Sequence, residues 1–90
     1  MYTIEQGTKF KKDLKKYSSD KEKLVALREV IRCLEMTGTV PLEYKPHALK
    51  GEYDGTIECH IKSDFLLIWM DAATNTIKLL RLGSHSELFR

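Results

Sequence analysis

Three observations on this 90-residue chain predict an α+β domain. Helical periodicity is confined to its first part, strand alternation to its second, and one short β-prone segment stands ahead of the helices. The expected order is β-α-α-β-β-β: an N-terminal strand and a helical hairpin packed on one face of a mainly antiparallel four-stranded sheet. Residues 1–90 are too few for a second folded unit, so a single domain is expected.

Each element has its own signal. "YTIEQ" predicts a strand over about residues 2–6. In "TKFKKDLKKYSS", Phe10, Leu14 and Tyr17 fall at i, i+4 and i+7, one apolar stripe among lysines. Ser19 and Glu22 stand three apart, the spacing of a capping box that opens a second helix. Its stripe is Leu24, Leu27, Ile31 and Leu34, with Val25 and Val30 widening the buried face, and Gly38 is placed to end it. After a long loop, "TIECHI" alternates Ile57, Cys59 and Ile61 with Thr56, Glu58 and His60, a half-buried strand with His60 on its polar face. "FLLIWMD" is apolar on both faces, as a central strand is, and "AATN" is the turn into a last strand, "TIKLLRLG".

Composition narrows the function classes. The chain is 42% hydrophobic and 31% charged, which is globular rather than disordered. Cys33 and Cys59 lack metal-ligand spacing and point to a reducing cytoplasm rather than a disulfide framework. "MYTIEQ" has neither a basic n-region nor an apolar h-region, and no run approaches membrane-spanning length. The expectation is therefore a cytoplasmic protein without a membrane partner. Residues 1–32 hold nine Lys or Arg against five acids, and the remainder six against eight. A basic helical half suits a polyanionic partner, and equally describes a solvated lysine-rich face.

Antiparallel neighbours set the start of one strand beside the end of the next. Asp64 and Phe65, opening the third strand, should therefore lie near Arg81 and Gly83, closing the fourth. The end of the second strand, with His60, shares that rim. His47 from the preceding loop and His85 from the closing "GSHSELF" can join them. Each residue also has a plainer reading: an exposed histidine, a routine turn aspartate, an arginine leaving the core edge, phenylalanines in the core. Their common location is what makes a site. Three imidazoles and a guanidinium, with no evident thiol nucleophile or P-loop, suit metal-independent acid–base chemistry on a phosphodiester. One ring takes a proton, another gives one, and arginine stabilises the phosphorane. A rim aromatic can stack on an extruded base, and RNA supplies its own 2′-hydroxyl nucleophile. A zinc site from His47, His60, His85 and Asp64 is the rival, and its spacings match no standard zinc signature.

The segments "KFKKDLKK", "HALKGEYDG…ECHIKSD" and "RLGSHSELF" resemble the YafQ-like branch of the RelE/ParE toxin superfamily over nearly the whole chain. The resemblance implies a RelE-like fold and the toxin of a bacterial type II toxin–antitoxin pair. It implies an mRNA interferase that enters the ribosomal A site, cleaves messenger RNA there and is neutralised by a cognate antitoxin, with no cofactor. It assigns His47, His60, Asp64, Arg81 and His85 to catalysis and Phe65 and Phe89 to the substrate. Phe65 stands where such relatives often carry tryptophan, so stacking is kept and the indole donor lost. In this reading His85 or Asp64 accepts the 2′-hydroxyl proton, and His60 or His47 protonates the leaving 5′-oxygen. Lys11, Lys12, Lys15 and Lys16 would contact ribosomal RNA. Two alternatives share the fold: a gyrase-inhibiting ParE-like toxin, which does not need this histidine set, and an inactive toxin serving as a co-repressor.

Overall fold

The computed structural model describes residues 1–89. Strand β1 (Thr3–Gln6) leads into helices α1 (Thr8–Lys15) and α2 (Lys21–Thr37). Strands β2 (His47–Ala48), β3 (Ile57–Lys62), β4 (Phe65–Ala73) and β5 (Thr76–Gly83) follow, and a last helical turn, α3, covers His85–Leu88. The sheet runs β1-β5-β4-β3-β2, with β1 parallel to β5 and the other pairs antiparallel. The α+β order of the main elements is as the sequence predicts. Among the described residues, besides short 3-10 turns at Leu42–Tyr44 and Gly51–Tyr53, two elements are additional. The two-residue β2 pairs His47 with Glu58, and α3 closes on a capping box between Ser84 and Glu87.

The apolar pattern explains the layers. Phe10, Leu27, Val30 and Leu34 come down from the helices onto Cys59, Ile61, Phe65, Leu67, Trp69, Ile77, Leu79 and Leu82 of the sheet. The opposite face of β4, Leu66 and Ile68, is covered by Leu88 of α3 together with Leu49, Tyr53 and Leu80. Strand β4 is therefore buried on both faces over its first half, as its unbroken apolar run requires.

Two local expectations are corrected. The cap of α2 is Asp20, whose carboxylate accepts from the Lys23 amide at 3.2 Å. Turns continue through Ser19, so the helix starts one residue later than a Ser19–Glu22 box requires. Val25 is 56% exposed, because the buried stripe of α2 runs through Leu27, Val30 and Leu34 and leaves it to one side. Gly38 does end α2. It adopts the left-handed conformation (φ 78°) with its N–H on the Leu34 carbonyl at 2.9 Å, and a Cβ there would strike the Tyr2 ring.

Backbone strain and collision separate at two glycines. Gly55 is also left-handed (φ 89°), with no atom within 4 Å of its Cβ position. Gly55→Ala should cost about 1 kcal/mol and Gly38→Ala about 2 kcal/mol or more in urea unfolding. Equal losses would mean that Tyr2 yields freely.

Candidate active site

The site occupies the face of the sheet away from the helical hairpin. Period-two alternation in β3 points Glu58 and His60 to that face, opposite Ile68 and Leu66 of β4. Glu58 is only 3% exposed, and a buried carboxylate needs partners. It has two imidazoles: His47 Nε2 at 3.2 Å and His60 Nε2 at 3.6 Å. His47 is placed by the β2–β3 pairing, and its Nδ1 faces the Lys45 carbonyl at 3.0 Å. Oxygen acceptors therefore face both nitrogens of that ring.

The turn between β3 and β4 is tight, and Asp64 takes its left-handed position (φ 49°). From there Asp64 Oδ1 accepts the His85 backbone N–H at 2.9 Å and faces His85 Nδ1 at 3.1 Å. The amide bond first, and the ring second, hold the Asp64 carboxyl below its ordinary value. A carboxylate so stabilised is a poor proton acceptor and a good orienting group. By occupying Nδ1 it leaves Nε2 as the open nitrogen of the His85 ring. The three rings form a row, with centroids 6.2 Å apart from His47 to His60 and 5.7 Å from His60 to His85. Phe89, 39% exposed, lies 5.9 Å beyond His85 and meets Tyr53 edge-on.

Arg81 is joined to this row indirectly. Its Nε and Nη2 bond the two oxygens of Asp13 at 2.8 and 3.2 Å, which holds the guanidinium above its ordinary value. Nη1 donates to the Tyr53 hydroxyl at 3.2 Å, and that hydroxyl donates to the Leu88 carbonyl. One N–H on each terminal nitrogen remains for an anion. Asp13 is buried and also accepts the Leu82 amide at 2.9 Å, so the arginine is braced from α1.

Thus His47, His60, Asp64, His85 and Phe89 come together, and Arg81 adjoins them through Tyr53. Phe65 does not. It is fully buried on the helix-facing side of β4 with Leu67 and Trp69, so the expectation that it stacks on substrate is corrected. "FLLIWM" is apolar on both faces, and its phase could not be read. Lys11, Lys12, Lys15 and Lys16 are exposed along α1. Sequence reasoning missed Glu58, Asp13 and Tyr53. For the first two a signal existed: Glu58 shares a face with His60, and Asp13 stands at i+3 from Phe10 within the apolar stripe. Cys59 is no nucleophile, since burial pushes its thiol up to about 12.

Among the described residues, one group has ligand atoms close enough for a metal ion: His47, Glu58 and His60, all within 4.8 Å of one another. It shares two histidines with the zinc set weighed from sequence and has Glu58 in place of His85 and Asp64.

Residues 2–90 match the family described as the bacterial toxin of type II toxin-antitoxin systems, YafQ. The chain belongs to the YafQ toxin family. It is 30% identical over 89 residues to the mRNA interferase toxin YafQ of Escherichia coli K12, covering 96% of this chain and 94% of that one. The fold agrees with the E. coli DinJ–YafQ toxin–antitoxin complex, with a TM-score of 0.84 at 27% identity over 99% and 98% of the two chains. A metal-bound toxin from Helicobacter pylori gives a TM-score of 0.81 at 44% identity over 99% and 100%.

Acid stability tests the carboxylates that fix α3. The carboxyls of Asp64 and Glu87 both lie below their ordinary values of 3.8 and 4.5, the latter because Tyr17 and the Ser84 amide bond it. Lowered values stabilise the fold above the unfolded-state values, and that contribution is lost as pH falls through the folded ones. Unfolding followed from pH 6 to pH 2 should show stability declining below about pH 4. Asp64→Asn with Glu87→Gln should flatten the decline, and an equally steep decline in that variant would place the acid-sensitive groups elsewhere.

Proposed function

We propose that this toxin is an endoribonuclease that cleaves messenger RNA on the ribosome without a protein nucleophile. The observation carrying the reading is the row of imidazoles anchored by a carboxylate at each end, Glu58 beside His47 and His60, and Asp64 beside His85. The name of the E. coli relative, an mRNA interferase toxin, supports the substrate.

In the proposed reaction His85 Nε2 accepts the proton of the RNA 2′-hydroxyl, with Asp64 fixing the ring and favouring the imidazolium that forms. The 2′-oxygen attacks the adjacent phosphorus. Arg81 donates its two remaining N–H groups to the phosphorane oxygens. His60, 5.7 Å from His85 between ring centroids, delivers a proton to the leaving 5′-oxygen, and His47 through Glu58 returns one to it. The products are a 2′,3′-cyclic phosphate and a 5′-hydroxyl end. Phe89 stacks on a base, and Lys11, Lys12, Lys15 and Lys16 contact ribosomal RNA, which makes binding salt-sensitive. The E. coli complex with DinJ supports a cognate antitoxin as the neutralising partner of a cytoplasmic toxin.

Incubation of the toxin with a defined messenger in reactions with and without translating ribosomes, the cuts mapped by primer extension, tests this. Cuts should require ribosomes and fall by about 100-fold or more in His85→Ala. No cuts from folded native protein would favour the gyrase-inhibiting alternative, read by a supercoiling assay.

The His47–Glu58–His60 group favours a second reading, in which a divalent cation regulates the enzyme. A bound cation would occupy the nitrogens that this mechanism uses for protons. Zinc should then inhibit cleavage, EDTA should restore it, and Glu58→Gln should weaken the inhibition. Stimulation by zinc would contradict a metal-independent mechanism.

A further inference from the structure

A single helical turn has no cooperative stability of its own, because nucleation fixes several residues for one hydrogen bond. Helix α3 is such a turn, and it carries His85 and ends on Phe89. Whatever holds α3 therefore holds both rings. Asp64 grips its first residue, and the Tyr53 hydroxyl donates to its Leu88 carbonyl. Neither bond restrains the side of α3 that faces the helical hairpin.

Glu87 occupies that side. Its Oε1 accepts from the Tyr17 hydroxyl at 2.6 Å, across 70 residues of chain, and from the Ser84 amide at 2.8 Å. The carboxylate folds back over Gly83, where a Cβ would stand 2.6 Å from Oε1. Tyr17 is itself fixed. Its ring lies 4.8 Å from that of Phe65, and Lys23 Nζ sits 5.5 and 5.7 Å from the two ring centroids. Phe65 is fully buried and directly follows Asp64. The same tight turn thus restrains α3 twice, directly through Asp64 and through Phe65, Tyr17 and Glu87.

We infer that the Tyr17 hydroxyl is a positioning group for His85, holding α3 through Glu87 from the helical side while Asp64 holds it from the sheet. Its kinetic consequence rests on the nuclease reading above; the positional claim does not. Burial foremost, and then the bond to Glu87, push the phenol up, while Tyr17 holds the Glu87 carboxyl down. The link is therefore a neutral donor on a charged acceptor at neutral pH, stronger than a bond between neutral groups.

Tyr17→Phe deletes one O–H and keeps the ring on Phe65. Tyr2→Phe, at the Gly38 end of the molecule, is the matched control. For the whole chain acting on ribosome-bound messenger, Tyr17→Phe should lower kcat about tenfold and leave KM within about twofold. Its Tm should fall by no more than about 5 °C. The Tyr2→Phe variant should cleave as the native protein does. Histidine-labelled NMR spectra of Tyr17→Phe should show the His85 ring signals shifted or broadened, with those of His47 retained. Native kcat with unmoved His85 signals would overturn the inference, as would a loss confined to KM. Should the native protein cleave nothing, the nuclease reading falls, and the spectrum alone decides the position of His85: unmoved signals refute the restraint.

Discussion

Strand β4 opens with five residues buried on alternating faces, Phe65 through Trp69, so this small chain must build two covers for one strand. The helical hairpin makes the larger cover. The second is thin, made of Leu49, Tyr53, Leu80 and Leu88, which come from loops, from β5 and from a single helical turn. The proposed site depends on that second cover. His47 sits beside Leu49, Arg81 beside Leu80, and His85 and Phe89 flank Leu88. The segments that seal the exposed face of the sheet are the ones that carry the proposed site.

The acids under and around this cover are each paired. Glu58 is taken up by two imidazoles, and Asp13 by Arg81 and a backbone amide. Asp64 is taken up by the amide and ring of His85. Each carboxylate fixes a side chain of the proposed site, so the interactions that stabilise the fold also set its geometry. This suits acid–base catalysis, in which proton donors and acceptors must be held within hydrogen-bond reach of a scissile group. An exposed, shallow row of rings also suits a nuclease that meets its substrate on a larger surface such as the ribosome.

The main elements were legible because their periods differ and their apolar faces are long. Phe10, Leu27 and Leu34 on the helices, and Cys59 and Ile61 on β3, lie where the periods put them. Antiparallel pairing also brought Asp64 and His85 to one rim before any coordinates. What escaped was short or charged. Two residues of β2 and one turn of α3 have no periodicity to detect, although Ser84 and Glu87 carry a capping signal as clear as the misleading one at Ser19. Asp13 and Glu58 are acids, which by default belong at the surface, and only their places within buried patterns betray them. Phe65 was misplaced because a strand apolar on both faces conceals its phase.

The central claim is that one histidine takes a proton while another gives one. The most direct measurement is the pH dependence of single-turnover cleavage on ribosomes saturated with toxin. The account predicts a bell-shaped profile, because the reaction needs one group without its proton and another with it. A rate that rises or stays flat with pH across the neutral range, with no alkaline limb, would contradict it.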